Sequence, residues 1–171
     1  MQIRRVAPGE WELVKRLRLD ALLDPAAPVA FLDTHERASR QPDAHWRDRT
    51  ERAAAGPEVA QVVADDDGTW VGSVTAIVES LGPAATGGPP VRRALLVGIY
   101  VAPAHRGSGL LGRLVDHAID WVGRQGLSEV YLEVHEQNPR AEAAYRRLGF
   151  RPTGRSPQGP HRQLVRDVPS G

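Results

Sequence analysis

Seven consecutive residues carry the clearest chemistry in this sequence: Arg106, Gly107, Ser108, Gly109, Leu110, Leu111 and Gly112. They follow an apolar run at 97–101 and a Pro-containing corner at 102–105, and they precede a segment with helical apolar spacing. They therefore read as the turn between a strand and a helix. The amides of such a turn and of the first helical turn point one way and have no intrahelical acceptor. A phosphate satisfies them, because its oxygens accept several N–H donors at once and the positive end of the helix favours its charge. Glycine suits these positions because a Cβ would hold the phosphate away and because some of them need φ > 0. The expectation is a phosphorylated ligand held by the backbone of residues 106–112.

Other residues with chemical potential lie downstream. Residues 130–135 alternate, with Val130, Leu132 and Val134 on one side and Tyr131, Glu133 and His135 on the other. Glu133 thus stands on the polar side of a strand, where a carboxylate can act as a general base or simply be solvated. Asn138 directly precedes Pro139, the order of a helix N-cap and first helical residue. His135 and Glu136 could relay a proton, or could end a solvated strand. Ser108 has no base at a readable spacing and does not read as a nucleophile. The six histidines contain no H-x-x-x-H pair and there are no cysteines, so no metal is expected.

The turn also satisfies the dinucleotide pattern G-x-G-x-x-G, with Glu133 near the distance of a Rossmann acidic residue. That pattern requires its first glycine almost immediately after the strand, whereas Ala102, Pro103, Ala104, His105 and Arg106 intervene here. An antiparallel hairpin upstream also speaks against a doubly wound sheet.

Positioning these groups requires a strand before the turn, a helix after it, and a second strand and helix beyond. Residues 94–101 form a continuous apolar run, as in a strand covered on both faces. Next, Leu110, Leu111, Leu114, Val115, Ala118, Ile119 and Val122 build one helical stripe. The strand at 130–135 then completes a right-handed parallel βαβ unit. The helix after Asn138 carries Ala141, Ala144, Tyr145 and Leu148, and ends at Gly149 as an αL cap with Phe150 as its apolar partner. Upstream, the pattern predicts a strand at 1–6 and a helix at 10–23 with Leu13, Val14, Leu17 and Ala21 on one face. It also predicts a helix at 43–55 and a hairpin of strands 59–64 and 69–78 turning at Asp67-Gly68. The polar stretch 29–56 offers Phe31 and Trp46 as isolated anchors, residues 80–90 read as an exposed mobile loop, and 150–153 and 163–168 as closing strands.

The 171-residue chain, 41% hydrophobic and 25% charged, is expected to fold as one soluble domain over residues 1–171. It holds no apolar run of about 18 residues, and its start lacks a secretory signal. A net charge of +1 gives no case for nucleic-acid or membrane partners, and the absence of cysteine fits a cytoplasmic location.

The run Val101-Ala102-Pro103-Ala104-His105-Arg106-Gly107-Ser108-Gly109, taken with Asn138, Tyr145 and Gly149-Phe150, resembles the GNAT superfamily of acyl-CoA N-acyltransferases. The resemblance is strong over 96–150 and rests on element order elsewhere. One departure is Leu111, where the family usually has Gly or Ala; Gly112 follows one place later. The resemblance implies an α/β (α+β) fold with a mixed, mainly antiparallel central sheet of about six or seven strands, a parallel βαβ core and about four flanking helices.

It also implies acetyl-CoA as co-substrate. The amides from Arg106 to Gly112 would hold the pyrophosphate, the exposed backbone of Ile99, Tyr100 and Val101 would pair with the pantetheine arm, and Asn138 would contact it as well as cap its helix. The implied reaction is direct transfer in a ternary complex to a primary amine, of a small molecule or a peptide. An alkylammonium with a pKa of ~10.4 must first lose a proton; Glu133, on the polar side of its strand and matching a glutamate so placed in amino-terminal acetyltransferases of this superfamily, is the implied base, directly or through water. Tyr145 would protonate the departing thiolate. Glutamate is frequent in this family on the strand before the turn, but Leu95 and Leu96 stand there, which places more weight on Glu133. Pairing of two copies as a homodimer is a further implication.

Leu111 and the missing upstream glutamate keep open a second reading, a non-catalytic acyl-CoA-binding sensor or interaction module of the same fold. The acceptor itself is not readable. It is expected against residues 24–52, 80–90 and 154–160, where Asp33, Glu36 and Asp43 could attract a cationic amine or belong to a solvated face.

Overall fold

Strands of alternating burial pair around the apolar run that precedes the glycine turn. A computed structural model describes residues 1–155 and 159–169. Its strands are β1 (Gln2–Arg5), β2 (Val59–Asp66), β3 (Thr69–Leu81), β4 (Val91–Val101), β5 (Glu129–His135), β6 (Arg151–Arg155) and β7 (His161–Asp167). They form a seven-stranded sheet in the order β1-β2-β3-β4-β5-β7-β6. Every pairing is antiparallel except β4 with β5, where the connection through a helix makes the expected βαβ unit.

The long helices are α1 (Trp11–Leu22), α4 (Asp43–Ala55), α6 (Leu110–Arg124) and α7 (Pro139–Arg147), with the short α2 (Ala27–Ala30), α3 (His35–Ser39) and α5 (Pro83–Thr86) added between them. The short α3 falls within the polar stretch 29–56, and α2 overlaps its start. Thr34 Oγ1 accepts from the Arg37 amide at 3.2 Å, an N-cap that fixes the start of α3.

Helix α6 lies on one face of the sheet. Its stripe of Leu110, Leu114, Val115, Ala118, Ile119 and Val122 is fully buried against Ala60, Val62, Val74, Ala76, Leu96, Val130 and Leu132. Helices α1 and α4 cover the other face, where Val14, Leu17, Trp46 and Ala53 pack with Val6, Val63 and Trp70. Successive strand residues serve opposite faces, so each core draws on every second position.

Two sequence expectations change. The strand read at 94–101 begins at Val91, and β3 runs on to Leu81, because Glu79 pairs with Arg93 and Leu81 with Val91 across the hairpin. The loop is correspondingly shorter and holds α5, with Thr86 Oγ1 donating to the Gly88 carbonyl at 2.9 Å. The second change matters more for function: β4 is not covered on both faces. Ala94, Leu96 and Val101 are buried, while Leu95, Val97, Ile99 and Tyr100 are only half-buried and line a cleft. Their apolar character prepares a surface for a ligand rather than for another element.

Candidate active site

The cleft arises where two neighbouring strands part. Parallel pairing of β4 with β5 is confined to Ala94, Leu95 and Leu96 against Val130, Tyr131 and Leu132. Beyond these residues the strands diverge, and β4 bulges at Gly98, whose φ of 60° is available to glycine at little strain. The backbone of Tyr100 and Val101 stays paired to β3 on one edge, opposite Ser73 and Gly72, while Ile99 falls in the bulge; among the described residues none of the three has a strand on its β5 edge. The resulting cleft has a volume of about 1070 Å³ and reaches from the glycine turn to α1, α2 and α4.

At one end lies the turn. Gly107 and Gly109 adopt φ of 78° and 79°, left-handed values that strain any other L-residue. Gly109 caps α6 without a side chain, and among the described residues the amides of 107–112 find no acceptor. The Arg106 amide does: it donates to the Pro103 carbonyl at 3.3 Å, so the free run starts at Gly107. The Arg106 side chain is turned inward, with Nε donating to the Val101 carbonyl at 3.0 Å and Nη2 bonded to Asp24. Ser108 does not line the cleft, and its hydroxyl donates to the His105 carbonyl at 2.7 Å, closing the turn. Gly112 meets Leu148, which would lie 3.2 Å from an added Cβ, so its displaced position lets the start of α6 approach the end of α7. Leu111 is half-buried, lines the cleft and packs its side chain against the core.

Tyr145 and Glu133 face the same cleft from opposite sides of the sheet. Tyr145 comes from α7, packs against the α6-side core and meets Phe150 edge-on at 6.1 Å. Burial pushes its phenol well above the ordinary tyrosine range, so it is held protonated. Glu133 belongs to the alternate set of β5 that turns away from α6 and sits opposite Gln163 of β7. Asn138 caps α7 as expected, its Oδ1 accepting from the Ala141 amide at 3.1 Å, and it lines the cleft. His135 accepts from the Gln137 amide at 3.1 Å and stacks edge-on with His161 at 5.1 Å.

The other end of the cleft holds residues the sequence reading did not single out. Asp24, 5% exposed, anchors Arg106. Burial alone would raise its pKa, but the Ala26 amide and the Arg106 guanidinium outweigh that and hold the carboxyl below its usual range. Arg18 of α1 and Arg49 of α4 also reach the cleft, above the buried polar side chains Gln61, Ser73 and Thr75. Those three were readable in principle, as polar interruptions of apolar strands. Asp33, Glu36 and Asp43 each have a partner in the chain itself, Arg37 at 2.9 Å, Arg40 at 2.7 Å and Lys15 at 2.9 Å respectively. Of the loop expected at 154–160, residues 156–158 lie outside the described residues.

Among the described residues, no group of three or more His, Cys, Asp or Glu is placed to hold a metal ion, and no helix is long and apolar enough to cross a membrane.

A family model for the acetyltransferase (GNAT) family matches residues 18–150. Streptothricin acetyltransferase of Streptomyces lavendulae is 42% identical over 59 residues, which is 34% of this chain and 31% of that protein, so the match spans under a third of the relative's length. The PaiA N-acetyltransferase of Thermoplasma acidophilum, solved in complex with coenzyme A, superposes with a TM-score of 0.74 at 16% identity, covering 97% of this chain and 98% of that one. The aminoglycoside N-acetyltransferase AAC(6')-Iy, solved with the bisubstrate analogue CoA-S-monomethyl-acetylneamine, gives 0.70 at 21% identity, covering 91% and 93%. At these identities the structural likeness speaks for the fold.

Proposed function

The chain belongs to the acetyltransferase (GNAT) family, and we propose that it transfers the acetyl group of acetyl-CoA to a primary amine by direct attack within a ternary complex. The observation that carries this reading is the parting of β4 from β5 beyond Leu96 and Leu132, which puts the turn amides, Tyr145 and Glu133 on one cleft. Solved relatives of the same fold hold CoA or acetyl-CoA, which supports acetyl-CoA as the co-substrate here.

In this reading the free amides of residues 107–112 grip the pyrophosphate, as the unsatisfied donors of a helix N-terminus do. Pantetheine lies along the open β4 edge at Ile99, Tyr100 and Val101 as an added strand, with Asn138 alongside. The thioester then sits in the wedge, where a backbone donor of β4 polarises its carbonyl. The amine approaches from the α1–α4 face, on which Glu133 stands, and loses its proton to that carboxylate or to a water beside it. Nitrogen attacks the carbonyl carbon, the tetrahedral intermediate expels the thiolate, and Tyr145 supplies a proton to the sulfur from the other side. A phenol kept protonated by burial fits an acid better than a base.

Thiol release from acetyl-CoA in the presence of a broad amine panel tests the proposal. Turnover with any amine supports it; CoA binding without thiol release across the panel overturns it in favour of an acyl-CoA-binding module.

A further inference from the structure

Arg18 and Arg49 stand together at the acceptor end of the cleft with too little negative charge around them. Arg18 packs its guanidinium over the Phe31 ring at 4.6 Å, and its nearest carboxylate is Asp33 at 3.9 Å. That carboxylate is shared, because Arg37 holds it at 2.9 Å. Among the described residues, Arg49 has neither a carboxylate within ion-pair distance nor a hydrogen bond to its guanidinium. Both arginines are largely withdrawn from water. Desolvation lowers the pKa of each, Arg49 lowers that of Arg18 further by repulsion, and attraction to the shared Asp33 offsets this only in part. Leaving two cations so close and so dry is unfavourable unless something complements them.

What lies beneath them is polar and buried. The arginines roof a narrow recess of about 20 Å³, floored by Gln61, Ser73 and Thr75, that adjoins the main cleft at Gly98 and Tyr100. These three residues are 6%, 5% and 5% exposed, and with the Ser73 hydroxyl donating to the Gly98 carbonyl at 3.4 Å they keep hydrogen-bonding groups at a dry site. The recess stands on the sheet face covered by α1 and α4, whereas the glycine turn opens from α6 on the opposite face. The cofactor's pyrophosphate therefore does not account for this second cationic site.

We propose that Arg18 and Arg49 bind a carboxylate of the acceptor, so that the amine acetylated here belongs to an amino acid or a similar zwitterion rather than to a polycation. This rests on the acetyl-transfer reading of the cleft. Arginine is suited to the task because its planar fork matches both carboxylate oxygens. A carboxylate held there places the substrate on the face of Glu133, while the two guanidinium groups oppose entry of a second ammonium. The streptothricin and aminoglycoside enzymes to which the chain is similar thus do not indicate its acceptor.

The test is acetyl-CoA turnover with the common amino acids, each paired with its carboxamide, and with spermidine. At least one amino acid should exceed its carboxamide and spermidine in kcat/KM by about 10- to 100-fold, the range of one charged hydrogen-bonded contact. Arg49→Met should then raise KM for that amino acid at least about tenfold while KM for acetyl-CoA moves less than about twofold. Because Arg49 gives up no ion pair or hydrogen bond among the described residues and Met keeps its apolar stem, the variant should melt no lower than the parent, which separates loss of binding from loss of fold. Equal turnover of carboxamides or spermidine overturns the inference and leaves acetyl transfer standing. If no amine turns over, calorimetry of the same amino acids with the CoA-bound protein decides: absence of binding overturns the inference, and binding lost in Arg49→Met supports it while acetyl transfer alone falls.

Discussion

At the α6 end of the cleft the groups offered to a ligand in the proposed reading are unpaired backbone amides of the 107–112 turn, set by two glycines at φ of 78° and 79°. At the α1–α4 end they are the side chains of Arg18, Arg49, Gln61, Ser73 and Thr75, contributed by α1, α4, β2 and β3. A backbone site binds what its conformation allows, and side chains around it can vary widely without altering the ligand. A side-chain site is changed by a single substitution. The first arrangement suits an invariable cofactor and the second an acceptor that differs from one enzyme to the next.

Tyr145 faces the cleft from the α6 side, and its removal should have the largest effect. Tyr145→Phe keeps the ring against Phe150 and deletes only the hydroxyl proposed to donate the proton. Steady-state kinetics should show kcat lower by about 100-fold, the usual scale of a general acid, with KM for acetyl-CoA within about twofold. An unchanged kcat would remove Tyr145 from the chemistry. The pH dependence sharpens this. Burial raises the folded-state pKa of Tyr145 above its unfolded value, so the stabilisation this gives is complete below the unfolded value of about 10 and is lost only as pH rises beyond it. Between about pH 7 and 9, kcat should therefore show no basic limb assignable to this phenol.

Gly109→Ala probes the backbone end by itself. A Cβ there meets no protein atom within 4 Å, so packing is undisturbed, but φ of 79° becomes strained. The residue will relax and swing the first amides of α6. Affinity for acetyl-CoA should fall by about tenfold, with about 1–2 kcal/mol of stability lost to the left-handed conformation. Calorimetry with CoA and a thermal melt measure the two separately. If affinity holds while stability drops, the amides are not the grip.

The same contrast explains what could be read in advance. A backbone site is continuous in sequence: the strand, the corner, two glycines and the helical stripe from Leu110 to Val122 announce themselves within one stretch. Asn138, Pro139 and Gly149 likewise mark both ends of α7 by local rules, and the structure places them so. The acceptor end has no such continuity. Arg18 and Thr75 lie on α1 and β3, and only the fold brings them together. The apolar run of β4 misled for a related reason, since a strand that faces a ligand is as apolar as one that faces a helix. Asp24 went unnoticed because its partner, Arg106, is far along the chain and already had a local explanation.

That ion pair ties the two ends, and Asp24→Asn loosens it. The Asp24 carboxylate is almost fully enclosed, and it also accepts from the Ala26 amide at 2.9 Å. The loss should be about 1–2 kcal/mol, or a Tm lower by about 3–6 °C for a chain of this size. Because the folded-state pKa is depressed, the pair's stabilisation is present above the unfolded carboxylate value of about 3.9 and is lost as pH falls through the folded value. The gap between parent and variant Tm should therefore narrow below about pH 4. A gap that stays constant to lower pH would mean that the charge is not what Asp24 contributes.

Leu111→Ala should do least, and for that reason it separates the two kinds of site most cleanly. Its side chain lines the cleft beside the turn, at the position where the family pattern named above usually has Gly or Ala, yet in the proposed reading the group offered to the pyrophosphate is its amide. Truncation leaves that amide in the first turn of α6 and removes only part of a half-buried contact with the core. Affinity for acetyl-CoA should stay within about threefold, under 1 kcal/mol, while stability falls by about 1–2 kcal/mol. A tenfold change in either direction would show that a side chain shapes the phosphate site, and the distinction between a backbone end and a side-chain end would fail at this residue.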